Sequence, residues 1–148
     1  MPYVKVWIHL VWTTKYREPL LTDDIRARVF DHIRQNAKVK RIFVDHINGY
    51  REHVHVLISL GTDQKIAEIV KSLKGESSHW INQQEFTTAK FHWQHEYFAV
   101  GVSESIVEKV RAYIRKQEEH HNSRRSFDDE FEAMITKSGF TRHADDEQ

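Results

Sequence analysis

Hydrophobic residues recur at every second position in some stretches of this chain and at every third or fourth in others. The order of those stretches limits the fold more than any other feature. Residues 3–14 (YVKVWIHLVWTT) alternate. Val4, Val6, Ile8 and Leu10 fall on one strand face, and Lys5, Trp7, His9 and Val11 on the other. Glu18-Pro19 marks a loop. Thr22 followed by Asp23 and Asp24 starts a helix, the acids favouring the positive end of its dipole. Ile25, Val29, Ile33 and Ala37 then stripe a helix over 23–38. Residues 41–47 (RIFVDHI) read as a second strand, Asn48-Gly49 as a tight turn, and 51–60 (REHVHVLISL) as a third strand. In that third strand Val54, Val56, Ile58 and Leu60 share one face, and His53, His55, Leu57 and Ser59 share the other.

Thr62 or Asp63 caps a second helix striped by Ile66, Ile69, Val70 and Leu73, with Gly75 a candidate interruption before Trp80 and Ile81. Residues 91–100 (FHWQHEYFAV) read as a fourth strand that Gly101 ends. Ser103 or Ser105 caps a third helix to about 120, and Ser105 with Glu108 fits a capping box. Ile106, Val110 and Ile114 form its apolar stripe. The organisation expected is one domain over 1–121 and a polar tail over 122–148, with a short helix near 127–136 and a disordered end. A βαββαβ order favours an antiparallel sheet with both crossover helices on one face. The opposite face is left for a ligand or for the last helix.

The chain has 148 residues, 22 Lys plus Arg against 22 Asp plus Glu, 11 His and no Cys. That length buries a core without staples. The absence of Cys excludes disulfides, Cys-ligated zinc or iron–sulfur sites and a cysteine nucleophile. No apolar run approaches the roughly 18 residues of a membrane span. The opening Met1-Pro2-Tyr3-Val4-Lys5 lacks the layout of a signal peptide, so the expectation is a soluble cytoplasmic protein. A formal net charge of zero argues against holding nucleic acid by bulk attraction, so any such binding must use local clusters of positive charge.

His53 and His55, two apart on a strand, point to the same face. Such a pair can grip one metal ion, or can be ordinary polar residues on a solvated sheet face. Tyr113 and Gln117 are four apart on the third helix and share a side. A phenolate can attack phosphorus, and an amide oxygen can complete a hard-metal site. Equally, the pair can be a half-buried Tyr beside a solvated Gln. The two signals support each other if the third helix packs on the sheet face that carries the histidines.

These pieces resemble the single-tyrosine HUH transposases of the insertion-sequence 200/605 group. The match lies in His53-Val54-His55, in Tyr113-Ile114-Arg115-Lys116-Gln117, and in the opening His9-Leu10-Val11-Trp12-Thr13-Thr14-Lys15. Leu73-Lys74-Gly75, Trp93-Gln94 and Glu96-Tyr97-Phe98 add to it. It spans about residues 3 to 121. Glu52 stands where the family often has Asp. The resemblance implies a ferredoxin-like α+β domain with two helices on one sheet face and a C-terminal helix bearing the tyrosine, working as a homodimer. It implies that Tyr113 attacks a phosphate of single-stranded DNA at hairpin-bearing transposon ends, leaving a 5′-phosphotyrosine link and a 3′-hydroxyl that later rejoins strands. It implies His53, His55 and Gln117 as ligands of Mg²⁺ or Mn²⁺. Whether the tyrosine helix serves its own chain or its partner's stays open at this point, as does Gly101 as hinge or plain turn.

Lys15, Arg17, Lys74, Arg111 and Arg115 are candidate DNA contacts, each weighed against solvated surface charge. Trp7, Trp12, Trp80 and Trp93 read as core or interface. Two other readings are a metal-independent single-stranded nucleic-acid-binding module that uses the open sheet face, and a hydrolytic HUH nickase. The first lacks the Lys/Arg-Gly-Phe signature of RNA-recognition strands. The second tends to be larger and to carry a third His.

Overall fold

The computed structural model describes residues 3–122. The expected short helix near 127–136 and the rest of the polar tail lie outside them. The chain divides into a unit of Met1–Gln117 and a second of Glu118–Gln148. The elements run β1 (Trp7–Thr13), α1 (Arg26–Val39), β2 (Phe43–Gly49), β3 (His53–Ser59), α2 (Ile66–Gln83), β4 (Phe98–Val102), α3 (Val107–Arg115) and α4 (Gln117–Asn122). Short 3-10 turns occupy Lys15–Arg17 and Glu104–Ile106.

The strands pair in the order β2-β3-β1-β4, each neighbouring pair antiparallel. Consecutive β-α-β units skip one position in the sheet, which is the ferredoxin-like arrangement. Alternation along β1 and β3 divides the interior in two. Ile8, Leu10, Trp12, Val54, Val56 and Ile58 pack beneath α1 and α2 with Val29, Ile33, Ile69, Val70 and Leu73. On the opposite face Trp7 and Leu57 pack against Val107 and Ile114 of α3. Neither face of the central strands is therefore left to solvent.

Several boundaries differ from the sequence expectation. Asn48-Gly49 is not the hairpin turn; both residues pair in the ladder, opposite His55 and Val54. The chain reverses over 50–52 instead. That turn is held from outside, since Leu21 N–H donates to the Arg51 carbonyl and Thr14 N–H to that of Glu52. Gly49 is required by close approach: a Cβ there would lie 2.2 Å from the His53 carbonyl oxygen. Gly75 does not interrupt α2, which runs through it. The fourth strand begins at Phe98. Of the stretch before it, Trp93 makes an isolated bridge to Thr14. Gly101 lies within β4, paired with Ile8. Ser103 provides the cap of the turn leading into α3, accepting from the Ser105 N–H, rather than Ser105 boxing with Glu108.

α3 is fastened to β2 by polar contacts. The register shifts between Val44 and His46, so Asp45 is an extra residue in the ladder. Such a bulge re-aims side chains. Both Asp45 and His46 engage α3: Arg111 donates to the two Asp45 oxygens at 2.8 and 3.0 Å, and an Arg115 nitrogen lies 3.1 Å from His46 Nε2. Asn48 Nδ2 donates to the carbonyls of Ile114 and Arg115 at 2.9 and 3.2 Å. Those carbonyls belong to the last turn of α3, where intrahelical partners run out. The capping accounts for the helix closing at Lys116 and restarting at Gln117 instead of running on to 120. Trp7 also donates its indole N–H to Glu104. Burial of Ile114 and Val107 adds about 1.5–3 kcal/mol each.

Two outcomes follow from this packing. Gly49→Ala must push against backbone and should lower stability by about 1–3 kcal/mol, whereas Gly101→Ala, with open space around its added methyl, should change it little. Equal melting temperatures for the two variants would refute the close-approach argument. The second concerns Asp45. Burial alone would raise its pKa, but the hydrogen bonds from Arg111 and His46 outweigh that and hold it below its ordinary 3.8. Its contribution is therefore present above the unfolded value and is lost as pH falls through the lower folded one. Wild type should melt above Asp45→Asn at pH 6, and the gap should close below about pH 4. A gap independent of pH would count against the ion pair as the fastening.

Candidate active site

Strand parity sets the site. Thr13 pairs with His53 and Val11 with His55, so both imidazoles rise from β3 toward α3. Their ring centroids are 5.0 Å apart and nearly perpendicular, at 84°. His53, His55 and Gln117 are all fully buried. Tyr113, half-buried on α3, presents its ring edgewise to His55 at 5.5 Å and to His9 at 6.3 Å. The four residues singled out in the sequence thus meet at one place, and the tyrosine stands beside the histidine pair of its own chain.

The hydrogen bonds fix which atoms face which. His53 Nδ1 is 2.8 Å from a Glu52 carboxylate oxygen, which can only accept, so Nδ1 carries the proton. Gln117 donates from its side-chain nitrogen to the Tyr113 carbonyl at 3.2 Å, which turns its amide oxygen toward His53. That oxygen lies 3.0 Å from His53 Nε2. Adjacent ligands of an octahedral ion with bonds of about 2.1 Å sit about 3.0 Å apart, so the spacing of these two atoms suits a shared ion.

Among the described residues no group of three His, Cys, Asp or Glu side chains gathers to hold a metal ion. A divalent ion at this place would therefore depend on the Gln117 amide oxygen beside the two imidazoles. Two nitrogens and one oxygen are a fitting, incomplete set for Mn²⁺ or Mg²⁺, leaving coordination positions for water and phosphate oxygens.

His9 completes the cluster. It sits on β1 two residues before Val11, so it lies diagonal to His55, within reach of a long side chain. Its Nε2 is 2.9 Å from His55 Nδ1. Burial pushes its pKa down to about 4, so the ring is neutral at pH 7. Sequence reading placed His9 on the correct face but gave it no role. Its parity with Trp7 and Val11, the same as that of His53 and His55, was the available signal. Glu52, noted only as a departure from the family, holds His53. Local pattern does not reveal the contacts of Asp45 and Asn48 with α3, whose partners are more than sixty residues away.

The candidate DNA contacts separate into groups. Lys15 and Arg17 lie in the exposed turn that leaves β1 next to the Thr13–His53 pair. Lys74 on α2 turns its ammonium onto the carbonyls of Gln94, His95 and Glu96. Burial lowers its pKa to about 8, against the opposing pull of Glu96. Arg111 is committed to Asp45 and Glu108, and Arg115 is exposed beside His46.

A family model described as "Transposase IS200 like" matches residues 2–117. The ISDra2 transposase TnpA of Deinococcus radiodurans is 29% identical over 114 residues, covering 74% of this chain and 81% of that protein. A crystal structure of a Deinococcus radiodurans R1 protein assigned as a transposase superposes with a TM-score of 0.64 at 27% identity, over 79% of this chain and 95% of that one. A REP-associated tyrosine transposase, solved bound to a REP hairpin, shares the fold with a TM-score of 0.60 at 17% identity, over 82% of this chain and 72% of that one. With its ferredoxin-like sheet, its paired histidines and a match to that family model over most of its length, the chain belongs to the IS200-like transposase family.

Proposed function

We propose that this protein cleaves and rejoins single-stranded DNA at transposon ends, with Tyr113 as nucleophile and a divalent ion held by His53, His55 and Gln117. The observation that carries the reading is the convergence of a half-buried phenol with two buried imidazoles and a buried amide oxygen at one place.

The chemistry balances without an external energy source. The Tyr113 oxygen attacks the scissile phosphorus and gives up its proton. The new Tyr O–P bond replaces the P–O3′ bond, leaving a 5′-phosphotyrosine and a 3′-hydroxyl. In the reverse sense, a 3′-hydroxyl attacks such a link and frees the tyrosine. Bound Mg²⁺ or Mn²⁺ would polarise the phosphate and screen its charge; imidazole ligands favour Mn²⁺ by softness. The chain's own contribution is position. α3 holds the phenol beside the His pair, Glu52 orients His53, and the Tyr113 carbonyl orients Gln117.

Two transposon ends need two nucleophiles, so the working form in this reading is a homodimer. Its substrates are single strands with hairpins, met in the cytoplasm. No helix among the described residues is long and apolar enough to cross a membrane. Lys15 and Arg17, exposed at the edge of the site, are the best placed of the five basic residues to meet a phosphate backbone. The binding-module reading loses ground because the sheet face it would use is covered by α3.

The test is incubation of the protein with single-stranded oligonucleotides spanning both flanks of its own element, with Mn²⁺, resolved on a denaturing gel. The expected result is a covalent protein–DNA adduct that disappears with Tyr113→Phe and with chelator. Cleavage that persists in Tyr113→Phe, or no adduct with a cognate end, would overturn the reading.

A further inference from the structure

His9 is a buried imidazole in direct contact with the site, and the reaction as described gives it no task. We infer that His9 is a positioning residue: its Nε2 accepts the Nδ1 proton of His55, which holds His55 in the tautomer whose Nε2 lone pair is presented to the divalent ion. This rests on the metal reading of His53, His55 and Gln117.

The geometry leaves two arrangements. The 2.9 Å contact between His9 Nε2 and His55 Nδ1 contains one proton. If His9 donates, neutral His55 carries its proton on Nε2 and cannot bind a metal there. If His55 donates, its Nε2 is a ligand. The neighbouring histidine is built the same way, since His53 gives its Nδ1 proton to Glu52. Each imidazole is thus gripped at Nδ1 by a second side chain, a carboxylate in one case and another imidazole in the other. Metal-bound histidines commonly need such a partner to fix tautomer and ring orientation.

Strand register explains why the partner comes from β1. His9 pairs with Leu57, leaving it diagonal to His55, and the two rings lie 5.1 Å apart at 31°. The Tyr113 ring meets both edgewise. His55 is therefore fixed from the side by His9 and from above by the tyrosine that would act next to it.

The test uses full-length protein labelled with ¹⁵N-histidine. Long-range ¹H–¹⁵N correlation in the metal-free state, near pH 8, should show His55 protonated at Nδ1 and not at Nε2. In His9→Phe, which keeps an aromatic ring but has no acceptor, the proton should move toward Nε2. Mn²⁺ affinity by calorimetry should fall about 10–100-fold, while the Nδ1 signal of His53 stays in place. His9→Gln, whose amide oxygen can accept, should restore most of the affinity. Wild-type His55 protonated at Nε2, or unchanged Mn²⁺ affinity in His9→Phe, would overturn the inference alone. Wild-type protein that binds no Mn²⁺, or binds it equally after His53→Ala, overturns the metal reading and this inference with it.

Discussion

The bulge at Asp45 is the constraint on which the site depends. An unbulged β2 would send alternate residues to opposite faces of the sheet. With one residue inserted, Asp45, His46 and Asn48 all engage the same helix. Arg111, Arg115 and the last carbonyls of α3 are their partners. These contacts fix the rotation and the end point of α3, and so the position of Tyr113 over the histidine pair. The apolar contacts of Ile114 and Val107 with Trp7 and Leu57 supply burial energy but little orientation. Dispersion tolerates small rotations that a two-pronged guanidinium–carboxylate pair does not.

Burying three polar side chains completely is costly unless each finds partners. The cluster solves this through donor and acceptor matching. Glu52 takes the proton of one imidazole, His9 meets the other, and the Tyr113 carbonyl takes the amide hydrogen of Gln117. Each buried polar side chain of the cluster thus has a hydrogen-bonding neighbour.

The sequence made much of this legible because parity is a local property. Alternation in 51–60 put His53 and His55 opposite Val54 and Val56, and the four-residue step from Tyr113 to Gln117 put both on one side of a helix. Once the βαββαβ order was read, one face remained for that helix, and α3 is there. What local rules missed was decided across long separations. Asn48-Gly49 has the composition of a turn, yet Asn48 is drawn into the ladder, where it caps α3 sixty-six residues away. Gly75 has the composition of a breaker, but α2 continues through it with Leu73, Ser77 and Ile81 buried on either side. Residues 91–97 have strand composition, and among the described residues their strand pairing is the single bridge from Trp93 to Thr14.

Charge neutrality carries a related lesson. Several of the cations that look available in the sequence are spent inside the fold. Arg111 anchors α3, and Lys74 ties the segment before β4 to α2. A count of Lys and Arg therefore overstates the charge open to a polyanion. The turn at Lys15–Arg17 is exposed to solvent. Tyr16 and Arg17 hold the left-handed backbone, with φ of 59° and 54°, a conformation that costs non-glycine residues of order 1–3 kcal/mol. Gln94 steadies it by accepting from the Tyr16 N–H. Lys15, Tyr16 and Arg17 are exposed where β1 ends, next to the Thr13–His53 pair. A formal charge of zero therefore says little about how positive charge is distributed over the surface of a fold.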